Sequence, residues 1–438
     1  MNVVDARGCA VSGATPAALA AFERALAAFQ SWRTGSEADL GVALQEAPDF
    51  VMARVLKAYL GVCSRDPRRV RSALPELVRA RALRANDRER LHLAVIEAAI
   101  AGDYERAKRG LGELLAQQPR DVIALQVGHA FDYLTGDSER LLARVAGVLP
   151  AWSRELPGYH AVLAMHAFGL EESGAFGQAE QVAGEALALN PIDARAHHVM
   201  AHVFEMTERP DAGVRWLNER MAGWAGADST VDVHCWWHIA LFHLARGDHG
   251  SALAAYDVRV RGKRSLEVAD LIDASALLWR IQLRDVEVGQ RWRELADAWS
   301  GHIDDRFCSF NDVHAMLAFA GARDWRLARR LEHALTLSQT RATRHGETTR
   351  SLGLPACRAL IAFGHRRDAL AVSLLEALPP LDFRLGGSHA QRDVLALTRR
   401  RALERMRQPA RRSLVFPSLR PTWTGPLRDA MAAGWAPL

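Results

Sequence analysis

Apolar residues return every three or four positions through most of the chain, as in 17–29 and 38–44, and this period predicts amphipathic helices. Alternating β-branched runs closed by hairpin turns, the mark of strands, are absent. The breaks between helical stretches follow a rule: a glycine stands five residues before an alanine in Gly102/Ala107, Gly174/Ala179, Gly247/Ala252 and Gly364/Ala369. Pro119 and Pro191 come twelve residues after the first two alanines. A turn, a small residue where two helices approach, and a proline closing the second helix make a tetratricopeptide-type hairpin. With the turn position as a ruler, Gly102, Gly136, Gly174, Glu208, Gly247, Arg284, Arg323 and Gly364 follow one another at 34 to 41 residues. Weaker versions surround Gly35 and Arg65.

The expected fold is all-α: about ten helical hairpins forming a closed or tightly curved right-handed superhelix. Residues 1–34 read as a lead-in, loose over 8–15, and a first helix, and 35–405 as the repeat array. Residues 406–438 read as an irregular tail, because five of the 17 prolines fall there.

Composition narrows the function classes. The net charge of +5 comes from 56 basic against 51 acidic residues, thinly spread, which disfavours a nucleic-acid partner. No apolar run approaches the length of a membrane span, so no membrane partner is expected. The five cysteines are scattered without a CxxC pair, which fits a reducing, cytoplasmic setting. Phosphate-loop, dinucleotide and nucleophile-elbow motifs are missing, so no nucleotide or flavin is expected.

The histidines change this picture, since eleven of 17 lie between His160 and His314. They concentrate in HHVMAHVFEM (197–206), CWWHIALFHL (235–244) and FNDVHAMLAF (310–319). Counting back from the turn ruler places His198, His202 and Glu205 on one inward helix face. The same count puts Glu89 and His92 inward in an earlier hairpin, and His234 and Trp237 inward in the next one. Trp236 and Trp237 cannot face the same way; Trp237 is taken as the ring available to a ligand. A histidine on a packed helix is most often a core residue with one satisfied hydrogen bond. It is the clustering that argues for a site. His198 and His202, like His234 and His238, have the i, i+4 spacing of metal ligands, with Glu205 as a third. Because neither pair has further ligands at a recognisable spacing, no cofactor and no tightly bound metal are predicted. Imidazoles near Glu205, Asp273 and Asp312 would serve proton transfer instead.

Several phrases together resemble the tetratricopeptide repeat protein thirty-eight family, as a bacterial member, over roughly 38–405. They include RERLHLAV (88–95), GHAFDYLTGD (128–137), LPAW (149–152), PGY (157–159), AFGLEESG (167–174), AHVFEM (201–206), WWHIAL (236–241), YD (256–257), LIDASALLWR (271–280), FNDVHAM (310–316) and GGSHAQRD (386–393). Thr207 and Glu208 depart from the glycine-containing turn usual in that family, and the tail after Gln408 has no counterpart. The resemblance implies the helical-repeat fold and marks the same histidines; it supplies no reaction. GGSHAQRD adds His389, Gln391, Arg392 and Asp393 as a set that closes the far side of the interior, or else a helix start capped by Ser388.

The reading is a small-molecule-binding protein, an enzyme working by acid–base chemistry on a small organic metabolite, heterocycles included, through hydrolysis, rearrangement or cofactor-free oxidation. His202, His238, Asp312 and His314 are the expected catalytic residues and share a cavity. His198, Glu205, His234, Trp237, Asp273, Arg280, Asn311, His389, Gln391 and Arg392 are the expected substrate contacts. The alternative is a tetratricopeptide scaffold holding a peptide or partner protein in its concave groove.

Overall fold

The computed structural model describes residues 3–379 and 382–407, and these form successive antiparallel helix pairs from Pro16–Gln30 to Val394–Arg407. The only strands among the described residues are Val3–Val4 and Ala10–Val11, a two-residue antiparallel ribbon. The lead-in is therefore more ordered than expected: Asp5, Arg7 and Cys9 are buried, and Arg7 Nη2 meets Glu23 at 2.6 Å. The tail expected over 406–438 lies outside the described residues from 408 onward.

The turn ruler has a structural meaning. Gly102, Gly136, Gly174, Glu208, Gly247 and Arg323 all have positive φ, between 54° and 80°. Each sits where one helix of a hairpin ends, and the next residue's N–H bonds back to a carbonyl five residues earlier. Asp103 N reaches Ala98 O at 2.9 Å, Arg209 N reaches Phe204 O at 2.8 Å and Asp324 N reaches Phe319 O at 2.9 Å. This Schellman closure satisfies carbonyls the helix leaves free and needs a left-handed residue. Asp103, Asp137, Asp248 and Asp324 then cap the following helix with their side chains. The last hairpins correct the ruler: the left-handed residues are Asp285 and Arg366, one and two residues beyond Arg284 and Gly364. Accordingly Ala369 is exposed and Ala371, five residues after Arg366, is the buried contact.

The two helices of each hairpin bury different amounts. Outer helices such as Trp325–Ser338 bury one stripe, here Leu327, Ala328, Leu331, Ala334, Leu335 and Ser338. Inner helices are buried all round: every residue from 194 to 204, from 271 to 281 and from 309 to 320 is buried. An inner wall is buried this way only if something fills the space it encloses, and the superhelix does so by closing on itself. Thr34 N donates to Asp228 O at 2.7 Å and Thr230 N to Trp32 O at 3.0 Å, joining the first hairpin to the middle of the array. Asn311 Nδ2 reaches Arg65 O at 3.0 Å, and Tyr133 Oη reaches Gln391 Oε1 at 2.9 Å. No described helix is long and apolar enough to cross a membrane.

Candidate functional site

Four consecutive inner helices bring titratable groups to one place. Tyr159–Glu172 carries Phe168, Glu171 and Glu172; Ala194–Met206 carries Arg195, His198, His202 and Glu205. Asp232–Ala245 carries His234, Trp237 and His238, and Val268–Gln282 carries Asp273 and Arg280. The i, i+4 pairs of the second and third helices face each other, so their four rings form one cluster. Ring centroids are 4.4 Å apart for His198 and His202, 4.7 Å for His202 and His238, and 4.8 Å for His198 and His234.

Carboxylates surround the quartet. His234 Nδ1 lies 2.8 Å from Asp273 Oδ2, and His238 Nδ1 lies 2.9 Å from Glu205 Oε2. His202 Nδ1 faces Glu171 Oε2 at 3.4 Å, while its Nε2 is 2.9 Å from His198 Nε2. Burial, with the neighbouring rings adding to it, holds His198 and His238 well below the usual histidine value. Burial pulls His202 the same way, but Glu171 beside it leaves the ring raised overall. Burial pushes Glu205 up to about 7.

Two of the quartet, His198 and His234, line one end of a cavity of ≈ 300 Å³, whereas His202 and His238, expected to face a shared cavity, are fully buried and off its walls. Phe29, Trp32, Tyr133 and Phe168 supply aromatic wall, and Arg65, Arg195, Asp273 and Gln391 supply polar groups. A wider mouth of ≈ 730 Å³ shares Trp32, Arg65 and Asp270 with it and opens between 32–37 and 263–270. Arg195 Cζ stands 4.6 Å over the Trp32 ring and Arg65 Cζ 5.2 Å over Tyr133. A separate cavity of ≈ 240 Å³ around Tyr104, Phe307 and Arg344 lacks the quartet, and its Arg344 is taken up by Glu105 and Thr135 O.

Several expectations need correction. Trp237 does not face a ligand: it is fully buried, stacked on His234 at 5.2 Å with Arg280 on its ring, so it fixes the imidazole from behind. Asp312, His314 and Asn311 are not among the quartet's contacts or the cavity walls. His314 Nδ1 is spent on Phe310 O at 2.8 Å, Asn311 bonds Arg65 O, and Asp312 Oδ2 is buried without a partner. Glu89 and His92 are structural: Glu89 closes a capping box with Asn86, and His92 bridges Tyr59 and Asp121. Arg280 turns toward Ala390 O and Asp393. GGSHAQRD opens a short helix at His389–Arg392 and reaches two carboxylates of the inner helices. Ser388 N donates to Gln391 Oε1 at 3.3 Å while Ser388 Oγ itself caps nothing, and the helix sends Gln391 to Asp273 at 3.3 Å and Arg392 to Glu172 at 3.5 Å. His389 is half-exposed, 3.9 Å from Glu172, and lines neither the cavity nor its mouth.

Arg65, Arg195, Trp32 and Glu171 were missed. Arg195 had a signal, since it precedes His198 by three residues on the same helix face. Arg65 and Trp32 had none, because they arrive from the first hairpins by closure of the superhelix.

No family model matches the chain. Among solved structures, the chain is similar to the crystal structure of the P58(IPK) tetratricopeptide domain at 13% identity and a TM-score of 0.23, covering 90% of this chain and 99% of that one. The protein is a helical-hairpin repeat protein whose inner helices are buried around one cavity, and that class rests on its own turn geometry.

Proposed function

We propose that this chain binds a compact organic anion, such as an aromatic or heterocyclic carboxylate, and acts on it by proton transfer at the histidine end of the cavity. The observation that carries this reading is Arg195. It is 3% exposed, its Nε and Nη1 have no hydrogen-bond partner, and among the described residues no carboxylate lies within salt-bridge reach of it. Burial pulls its guanidinium down to about 10. A charge held out of water without an anion costs several kcal/mol, roughly, and the Trp32 face offsets only part of this. A ligand carboxylate would supply the missing bidentate partner. The aromatic walls suit a planar ring, and His234, held by Asp273, offers its Nε2 for hydrolysis or rearrangement.

The repeat fold by itself suits a scaffold for a peptide or partner protein equally well. The buried inner helices weigh against that use, since a peptide groove has to be open along its length. The shared phrases support membership of the tetratricopeptide repeat protein thirty-eight family, and the unpaired cysteines support a cytoplasmic setting. Thermal-shift screening of ring carboxylates against their neutral amides tests the reading. Carboxylates should stabilise the protein, amides should not, and Arg195→Met should remove the shift. A protein that ignores carboxylates but binds peptides from a library is a scaffold.

A further inference from the structure

We infer that His198, His202, His234 and His238 form a binding site for one divalent transition-metal ion at the inner end of the cavity. The expectation of no metal rested on two ligand pairs each lacking partners, and the fold removes that premise by setting the pairs face to face. One ligand atom from each of the four lies within 4.8 Å of all the others. Three of the rings are buried and His234 is half-buried.

The orientation of the rings is that of a ligand set. In metal sites the ligating histidine donates its other ring N–H to a carboxylate or carbonyl, which fixes the tautomer and strengthens the donor. Here Asp273 takes the Nδ1 of His234, Glu205 that of His238, and Glu171 stands 3.4 Å from that of His202. For His234 and His238 this leaves Nε2 as the lone pair. His198 and His202 already set their Nε2 atoms 2.9 Å apart. Two nitrogens sharing a tetrahedral zinc at ~2.0–2.1 Å lie about 3.3 Å apart, so this pair spans close to one edge of such a site.

A purely structural role leaves more unexplained. A proton between His198 and His202 accounts for that one contact. It leaves His238 Nε2, His198 Nδ1 and both Glu171 oxygens buried without a hydrogen-bond partner. Each such atom costs about 1–3 kcal/mol. A cation bound by four neutral imidazoles gives His238 Nε2 a partner and places positive charge among Glu171, Glu205 and Asp273. All-nitrogen ligation selects zinc, iron, nickel or copper over magnesium or calcium. With four imidazoles the coordination is closed, so such an ion would hold the inner helices together and fix His198 and His234 at the cavity wall. Glu171, Glu172 and His202 also converge, and they are the competing set.

Metal uptake needs no substrate and is measured apart from anion binding; a filled site would occupy His234 Nε2, so the proton-transfer role given to that atom above belongs to the metal-free protein. Chelator-stripped full-length protein is titrated with Co²⁺, followed by its visible absorption, and then with Zn²⁺ in competition. One equivalent of Co²⁺ with the spectrum of a four-coordinate nitrogen site is expected. His234→Gln and His238→Gln should each weaken uptake at least about a hundredfold, and Glu205→Gln about 10- to 100-fold. His234→Gln, at the half-buried position, is the variant to rely on if His238→Gln does not fold, as judged by its melting curve. No uptake of Co²⁺ at micromolar concentration overturns the site. So does uptake that His234→Gln leaves unchanged, which would assign the metal to the competing set.

Discussion

His160 Nδ1 and Asp193 Oδ2 lie 2.6 Å apart, and this contact ties one inner helix to the start of the next. His92 and Asp121 repeat it at 2.8 Å. In both, the aspartate is also the cap of its helix, with Asp193 accepting from Ala196 N and Asp121 from Ala124 N. His234 and Asp273 look alike at 2.8 Å, but Asp273 lies inside Val268–Gln282 and caps nothing. Its second oxygen goes to Gln391 at the cavity wall. The first two pairs hold repeats together; the third is free to serve a site.

Asp121 should therefore be a stability residue with a visible pH signature. Burial alone would raise its carboxyl, but the charge and hydrogen bonds of Arg88 and His92 hold it well below the usual range. A lowered folded pKa gives stability that is complete above the unfolded value near ~3.9 and lost as pH falls below it. Asp121→Ala should cost about 3–5 kcal/mol at neutral pH, because it strands a buried Arg88 and His92. Between about pH 5 and about pH 3 the parent should lose more stability than Asp121→Asn in urea melts. Parallel pH profiles would remove the carboxylate from the account.

Asp312 should behave in the opposite sense. Burial, with Asp305 adding to it, pushes its carboxyl up to about 8. The folded chain then keeps a proton that the unfolded chain releases above about pH 4, so stability falls as pH rises from there toward 8. Asp312→Asn should melt higher than the parent at pH 8 and about level with it near pH 4. Carboxylate-induced thermal shifts should be unaffected, because Asp312 is outside the cavity. If the substitution removes those shifts, the placement of the site is wrong.

The turn geometry makes a paired prediction. Glu208 is exposed with φ 54°, and Gly102 has φ 78° with open space around a hypothetical Cβ. Glu208→Gly should stabilise and Gly102→Ala destabilise, each by roughly 1 kcal/mol, through backbone strain alone. Gly213 is a different case, since a Cβ there would come within 2.4 Å of Phe242. Gly213→Ala should cost about 1–3 kcal/mol through overpacking. Equal effects at Gly102 and Gly213 in chemical denaturation would contradict the distinction between strain and packing.

The sequence by itself determined the hairpins, because their chemistry is local. A left-handed residue, an aspartate cap and a small residue five positions on are all set within a dozen residues. The ruler slipped only where non-glycine residues, Asp285 and Arg366, take the left-handed position and leave no mark in composition. Gly364 misled it for a packing reason: its Cβ would stand 2.6 Å from Trp325. Helical spacing likewise made His198/His202 and His234/His238 two pairs. Only the tertiary structure decided that the pairs face each other, that Trp237 stands behind His234, and that Asp312 and His314 stand apart. It also decided that Arg65 and Trp32, far upstream, line the same cavity as Arg195. The rotation from one hairpin to the next, and the closure of the whole, depend on how all the inner faces pack at once, and no window of sequence contains that sum.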